Sequence, residues 1–465
     1  MIVLSADGHA VVRNDPFVPA VAVTPTPAVA AAVASAPRAS AAGAPKRHRP
    51  APPSVHSDLA RFNRTGAITS TAFRSYSATL SQAIASENRL RGTRQAELEA
   101  VLANMHAIAV AKQLTPSRLP ALFETLARNR QWWTTGPLLA SGQRVEFAGS
   151  QLVWEYYAGQ GIELQVLGSF GKADGLYTGG PADYPALGQL LAEIVPLATD
   201  RGGGLTWEYY FSFDGGRPPW TSAMSQGTAI EALTRAYEAF HDSAYLSLAH
   251  RALAIFNVAP PTGVRVPTSL GARYLQYSFA PGTAIINAFL QSLIGLYDYA
   301  QVSGDSEAQR LFAAGNAEAE AEVPHFDTGA WSLYQPGIED TLSYHELVTG
   351  FLQELCSRTG AAVYCTTAQH FSADLKTPPA LALLTGRARV KHAFSIAFRL
   401  SKISHVGIVV LRGSQIVFET SAYFPYGVHA FAIPSLGRKG TYTVHLAATD
   451  LAGNFNRIIG SLSLN

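Results

Sequence analysis

The chain has 465 residues, with 35 Lys and Arg against 33 Asp and Glu and a formal net charge of +2. A chain of this length is expected to form two or three domains rather than one core. The balanced charge excludes the basic stripe of a nucleic-acid binder, and no apolar run approaches the roughly 18 residues of a membrane span.

Met1–Ser57 is rich in Ala, Pro and Val, as in PAVAVTPTPAVAAAVASAP. This composition predicts a disordered tail. It has too many prolines for the apolar core of a signal peptide, and no basic stretch precedes it. Asp58 to about Arg130 reads as helical. In TRQAELEAVLANMHAIAVAKQL the stripe Leu98, Val101, Leu102, Met105, Ile108 has amphipathic spacing. From Gln131 to about Gly180 alternation and glycine turns predict short strands and loops. Helices return from Pro185: Ser225–Phe240, Ser243–Phe256, Thr283–Gln301, Ser306–Ala321, Thr341–Cys356 and Ala361–Ala373. Ser243 and Ser306 stand near the helix N-caps. Helix pairs with loops gathered at one end predict an α/α toroid, or incomplete α/α barrel, over 58–374.

LKTPPAL (Leu375–Leu381) is a natural linker, and beyond it the period switches to two. Val406, Ile408 and Val410 share one face, Gly413-Ser414 makes a turn, and Tyr442, Val444, Leu446 and Ala448 point inward. Residues 380–465 are expected to fold independently as a small immunoglobulin-like β-sandwich, a fold that assigns no function. The two cysteines, Cys356 and Cys365, fit either a local disulfide or two buried thiols, and their spacing matches no zinc pattern. Neither a P-loop, a dinucleotide fingerprint, a nucleophile elbow nor HExxH occurs, so no cofactor and no metal are expected.

Four segments occur in a telling order: WTSAMSQGTAIEALTRAY (Trp220–Tyr237), YLQYSFAPGTAIINAFLQSLIGLYDYA (Tyr274–Ala300), FDTGAWSLY (Phe326–Tyr334) and SYHELVTGFLQEL (Ser343–Leu355). Together they resemble the C-terminal catalytic domain of the D-glucuronyl C5-epimerases, best over 220–355. The resemblance implies a bacterial-type, extracellular or cell-envelope enzyme with an added sandwich. It would invert C5 of hexuronic acid residues in a polysaccharide, with glucuronate and iduronate as the pair. The implied partner is that uronic-acid-containing chain, and a homodimer is among the expected assemblies.

Such a reaction removes the proton alpha to a carboxylate and returns one to the opposite face. It needs an acid and a base within hydrogen-bond reach, and a cation or donors to stabilise the enolate-like species. The resemblance nominates Tyr277, Tyr334 and Tyr344 as catalytic. Tyr277 stands ten residues before Asn287 and Tyr334 seven after Asp327, and Tyr344 precedes His345, all as in the family. Two positions depart from it. The family's glutamate before its first tyrosine is Gln276, and its arginine after the second is Gly337. Arg273 and Arg235 are therefore candidates for the missing carboxylate clamp. Trp220, Trp154, Tyr156 and Tyr157 are candidates to stack on sugar, against a role in the core. His345 is a candidate proton shuttle or a buried structural histidine. Glu339, Asp340 and Glu346 either replace the missing acid or cap the helix that follows.

Two other readings are open. A polysaccharide lyase or glycoside hydrolase would use the same toroid. A non-catalytic carbohydrate-binding envelope protein would have kept the scaffold and lost the activity.

Overall fold

The computed structural model describes residues 1–5, 7–15, 17 and 53–465. The expected tail lies outside them from residue 18 to 52. Its ends do not behave as a tail. Ile2–Leu4 pairs in parallel with Arg144–Phe147 and antiparallel with Ala10–Val12. The apolar Ile-Val-Leu finds a partner strand whose own face is buried, which composition over a long window cannot reveal. The disordered assignment is corrected there, and again at Val55, where the first helix starts.

Twelve α-helices occur among the described residues: α1 Val55–Arg64, α2 Ser70–Glu87, α3 Thr93–Val110, α4 Leu119–Thr135, α5 Val166–Thr178, α6 Tyr184–Ile194, α7 Ala223–Phe240, α8 Ser243–Ala252, α9 Ile286–Ser303, α10 Ser306–Glu322, α11 Leu342–Thr359 and α12 Ala362–Asp374. The chain forms two compact units. One comprises 1–264 with 277–281, the other 265–276 with 282–465.

In the first unit α5 packs on both α6 and α7, and α7 on α8. A mixed sheet holds Arg144–Phe147, Trp154–Tyr157 and Gly161–Leu164 beside the N-terminal strands. Strands and loops were expected up to Gly180, so α5 is a correction. Val166, Ser169, Phe170, Ala173 and Leu176 are its buried stripe. Interleaved Gly168, Gly171 and Gly175 hid that 3.6-residue period.

In the second unit α9 packs on α10 and α11, and α11 on α12. These helical hairpins are the repeat of α/α-toroid folds, as the sequence predicts. Several starts move by a residue or more. The caps of α8 and α10 are Asp242 and Asp305, whose carboxylates accept from Ala244 and Ala308 N–H. Asp outdoes the serine after it because a charged oxygen also meets the helix dipole. A disulfide joins Cys356 to Cys365 across α11 and α12, with Cα atoms 4.9 Å apart.

The rest of the second unit is a β-sandwich. One sheet has three strands, in the order Leu381–Leu383, Phe394–Leu400, Gly427–Ile433. The other has five, in the order Arg387–Ala388, Phe455–Leu464, Gly440–Asp450, Ser404–Arg412, Gln415–Phe424. Val406, Ile408 and Val410 lie opposite Ala448, Leu446 and Val444, all at most 1% exposed. Period-two patterning fixes that register, since a one-residue slip would expose the whole set. Lys402 Nζ donates to the carbonyls of Asp374 and Thr377, and Asn456 to that of Pro379, so the linker is hydrogen-bonded to the sandwich.

Candidate active site

Tyr277 opens the five-residue segment that returns to the first unit. Ser278 docks it: Ser278 N–H donates to Thr221 O at 2.9 Å, and Thr221 N–H to Ser278 Oγ at 3.1 Å. The Tyr277 ring then stacks on Phe279 and meets Trp220 and Phe213, with centroids 5.3, 5.6 and 5.6 Å away. Gly216 makes room, because a Cβ there would fall 2.4 Å from the Phe279 ring.

Trp220 lies at the centre of this cluster. It stacks on Tyr209 at 4.2 Å, its indole N–H donates to Phe211 O, and it is 4% exposed. Its face is thus taken, which fits the core-packing alternative for this residue. Trp154 and Tyr156 are core as well. Trp154 is buried against Phe147, and the Tyr156 hydroxyl donates to Glu97 at 2.7 Å. Only Tyr157 belongs to the cluster, at 4.5 Å from Phe211. The sequence carried a signal that composition did not expose: Tyr209, Phe211 and Phe213 alternate, so their rings share one face.

A polar edge adjoins these rings. The Gln165 amide donates to Tyr157 Oη at 2.9 Å and to Glu155, which Arg144 also meets. Burial pushes the Tyr209 phenol up to about 12, against the opposing bond from Ser225. Burial likewise raises Tyr157, with Glu155 adding to it. Both phenols are therefore neutral donors at neutral pH.

In the second unit, Tyr334 and Tyr344 come together with ring centroids 5.2 Å apart. Tyr334 sits on a hairpin of Leu333–Gln335 and Ile338–Glu339, turned by Pro336-Gly337. Gly337 has φ +82°, which a Pro-Gly type II turn requires. The turn explains the lost arginine, since this backbone favours glycine. Tyr344 is in the first turn of α11, where Thr341 caps its N–H, and is 41% exposed.

His345 is fully buried. It stacks on Trp331 at 3.7 Å, and Nε2–H donates to Phe371 O at 3.0 Å. Nδ1 is therefore the acceptor, for Ser332 N–H. Burial lowers its pKa to about 4, so it is neutral and walled in. Of the two alternatives for His345, these contacts fit the buried structural histidine. Ser332 Oγ also contacts Asp340 Oδ2 at 2.5 Å, and burial raises Asp340 to about 7. The Ser332 hydroxyl donates to that carboxylate, and the Ser332 N–H serves His345 Nδ1.

The proposed clamps are engaged elsewhere. Arg235 pairs with Asp174 and Glu231, twelve residues past the start of α7, about 18 Å along its axis. Arg273 makes a two-oxygen pair with Glu322. Each neutralises a local carboxylate rather than awaiting one. Asn287, in the first turn of α9, is 3% exposed and its Oδ1 accepts from Ala288 N–H. Gln276 is half-buried at the point where the chain passes between units. Asp327 of the DTG motif pairs with His370 at 3.1 Å and borders a cavity of about 560 Å³ with Thr328, Thr366 and Thr367. An exposed cation that sequence reasoning passed over is Arg217, next to Gly216. Among the described residues no cluster of His, Cys, Asp and Glu could hold a metal, and no helix is long and apolar enough to cross a membrane.

Residues 201–373 match the family described as D-glucuronyl C5-epimerase C-terminus. The D-glucuronyl C5-epimerase of Caenorhabditis elegans is 38% identical over 130 residues, which are 25% of this chain and 21% of that protein. An uncharacterized protein of Methanocaldococcus jannaschii is 25% identical over 168 residues, 34% of this chain and 54% of that one. The chain thus spans about a fifth and about half of these relatives. Among solved structures, a sugar epimerase from a ruminal bacterium covers 45% of this chain and 58% of its own, with 15% identity and a TM-score of 0.34. An alpha-mannanase of Bacteroides thetaiotaomicron covers 49% and 65%, with 12% identity and a TM-score of 0.35.

Proposed function

We propose that this chain is a polysaccharide epimerase acting at C5 of hexuronic acid residues, the chemistry of the D-glucuronyl C5-epimerase family that residues 201–373 match. The observation that carries the reading is the pairing of Tyr334 with Tyr344 at a hairpin-to-helix junction, on the motifs where the family has its tyrosines. In this reading the groups that move the C5 proton are drawn from Tyr277, Tyr334 and Tyr344. A tyrosine acting as base needs its pKa, about 10 when free, lowered by the environment of the bound substrate. The substrate carboxylate needs charge compensation as C5 loses its proton. Arg217, exposed next to Gly216, is the candidate proposed for that task, since Arg273 and Arg235 are paired.

The hydrolase reading gains no support. It needs two available carboxylates about 5–10 Å apart, and Glu339, Asp340 and Glu322 are all engaged. We place the protein in an oxidising, extracytoplasmic compartment, supported by its disulfide.

The test is incubation with a glucuronate-containing polymer and analysis of the product residues. Iduronate without a new double bond is the expected result. A rise in ultraviolet absorbance from a C4–C5 double bond would make it a lyase, and an unchanged polymer across uronate substrates would favour the non-catalytic reading.

A further inference from the structure

The hairpin that carries Tyr334 ends on a carboxylate held by the sandwich. Glu339 is 8% exposed. Its Oε1 accepts the amide N–H of Ile403 at 2.8 Å, and Oε2 that of Tyr426 at 2.7 Å. Ile403 lies between the strands Phe394–Leu400 and Ser404–Arg412, and Tyr426 between Gln415–Phe424 and Gly427–Ile433. One side chain therefore ties two sandwich turns to the short strand opposite Leu333.

Lys402, the neighbour of Ile403, reaches the other side of the hairpin. Its side chain is 1% exposed and pairs with Asp450 at 2.7 Å. Its Nζ also lies 5.2 Å from the Trp331 ring centroid. Trp331 stacks on His345 of α11 and donates to Asp340 O. Residues before and after Tyr334 are thus both anchored to the sandwich.

We propose that the C-terminal sandwich is a working part of the tyrosine site, and that Glu339 is the positioning residue through which it sets the Tyr334–Tyr344 spacing. Glu339 pairs with Leu333 across the hairpin, so its displacement passes to the adjacent Tyr334. Asp340 and Thr341 follow it directly and lead into the first turn of α11, which carries Tyr344. Removing the carboxylate leaves two amide donors without acceptors, a cost that the hairpin can relieve only by moving. A misplacement on the order of 1 Å is enough to slow proton transfer about 100-fold. The catalytic consequence rests on the epimerase reading, whereas the structural coupling rests on these contacts alone.

The test uses the full chain with Glu339→Ala, Tyr426→Pro and Tyr426→Ala. Tyr426→Pro removes the amide donor and Tyr426→Ala keeps it, so their difference reports the bond even if Glu339→Ala does not fold. Amide hydrogen exchange is followed in peptides covering 331–345, with α9 and α10 as internal references. Turnover is measured on a glucuronate polymer. Glu339→Ala and Tyr426→Pro are expected to exchange at least about 10-fold faster in 331–345, with the reference helices unchanged. Their kcat should fall at least about 10-fold while KM stays within about threefold, because substrate binding is left and the reacting geometry is lost. Exchange in 331–345 equal to wild type in both variants would overturn the proposal. If wild type turns over no uronate polymer, the epimerase reading falls, and exchange alone still decides the coupling.

Discussion

The two tyrosine-bearing regions are held in place by opposite means. Tyr277 stands among aromatic rings, with Phe279, Trp220 and Phe213 around it and one pair of backbone-anchored bonds at Ser278. Tyr334 and Tyr344 stand on a hairpin and a helix start organised by polar groups: Ser332, Asp340, Thr341 and Glu339. Ring packing is non-directional and tolerates small shifts at modest cost. Hydrogen bonds are directional, and each orphaned partner costs about 1–3 kcal/mol. The first region should therefore fail by losing volume, and the second by losing one polar atom.

The largest effect expected on the aromatic side is that of Trp220→Ala. Deleting this buried indole should cost about 3–5 kcal/mol of stability, read as a lower midpoint in denaturant titration. A loss under about 1 kcal/mol would mean the ring supports a ligand rather than the core.

The polar region should answer to pH instead. His345 has a folded pKa of about 4, below its unfolded value, so the unfolded chain binds more protons between about 4 and 6.5. That makes stability rise with pH across the window, by about 3 kcal/mol. Asp340, at about 7 when folded, binds its proton more tightly in the native state. Its contribution falls as pH rises from about 4 to 7, so the two oppose each other. Asp340→Asn removes that falling contribution, and the melting temperature of the variant relative to wild type should climb from pH 4 to 7. A difference that stays constant would mean Asp340 does not bind its proton more tightly in the native state.

Next come the hydroxyls themselves. Tyr277→Phe and Tyr344→Phe should each lower turnover by about 100-fold or more, the usual scale for a lost general acid or base, with melting temperatures unchanged. Wild-type turnover in both would remove them from the mechanism. The smallest effects separate the arginines. Arg217→Ala should lower kcat/KM about 10-fold on an acidic polymer, as a partly exposed clamp would. Arg235→Ala should instead lower the melting temperature, since it strands Asp174 and Glu231, and leave kcat/KM within about twofold. The reverse pattern would restore Arg235 as the clamp.

Much of this fold was legible because its signals are local. The alternation at Val406, Ile408 and Val410 gave strand, face and register together, and the helices from α7 onward followed from their periods. α5 was missed because three glycines interrupt its stripe. The strand Ile2–Leu4 was missed because it is three residues long and one of its two partners lies more than 140 residues away. At the site, motif spacing nominated Tyr334 and Tyr344, which do meet. It said nothing of the salt-bridge partners of Arg235 and Arg273, because an ion pair depends on which carboxylate the fold brings near. The same holds for Glu339, whose acceptor role depends on amides 64 and 87 residues away.

The central claim is that these tyrosines exchange the C5 proton of a uronate within a polymer. Incubation with a glucuronate polymer in D2O, read by NMR for deuterium at C5, tests it most directly. The account predicts deuterium at C5 in both epimers with wild type, and uptake about 100-fold slower with Tyr344→Phe. Deuterium absent from C5 in every uronate polymer, or uptake as fast without the Tyr344 hydroxyl, would contradict it.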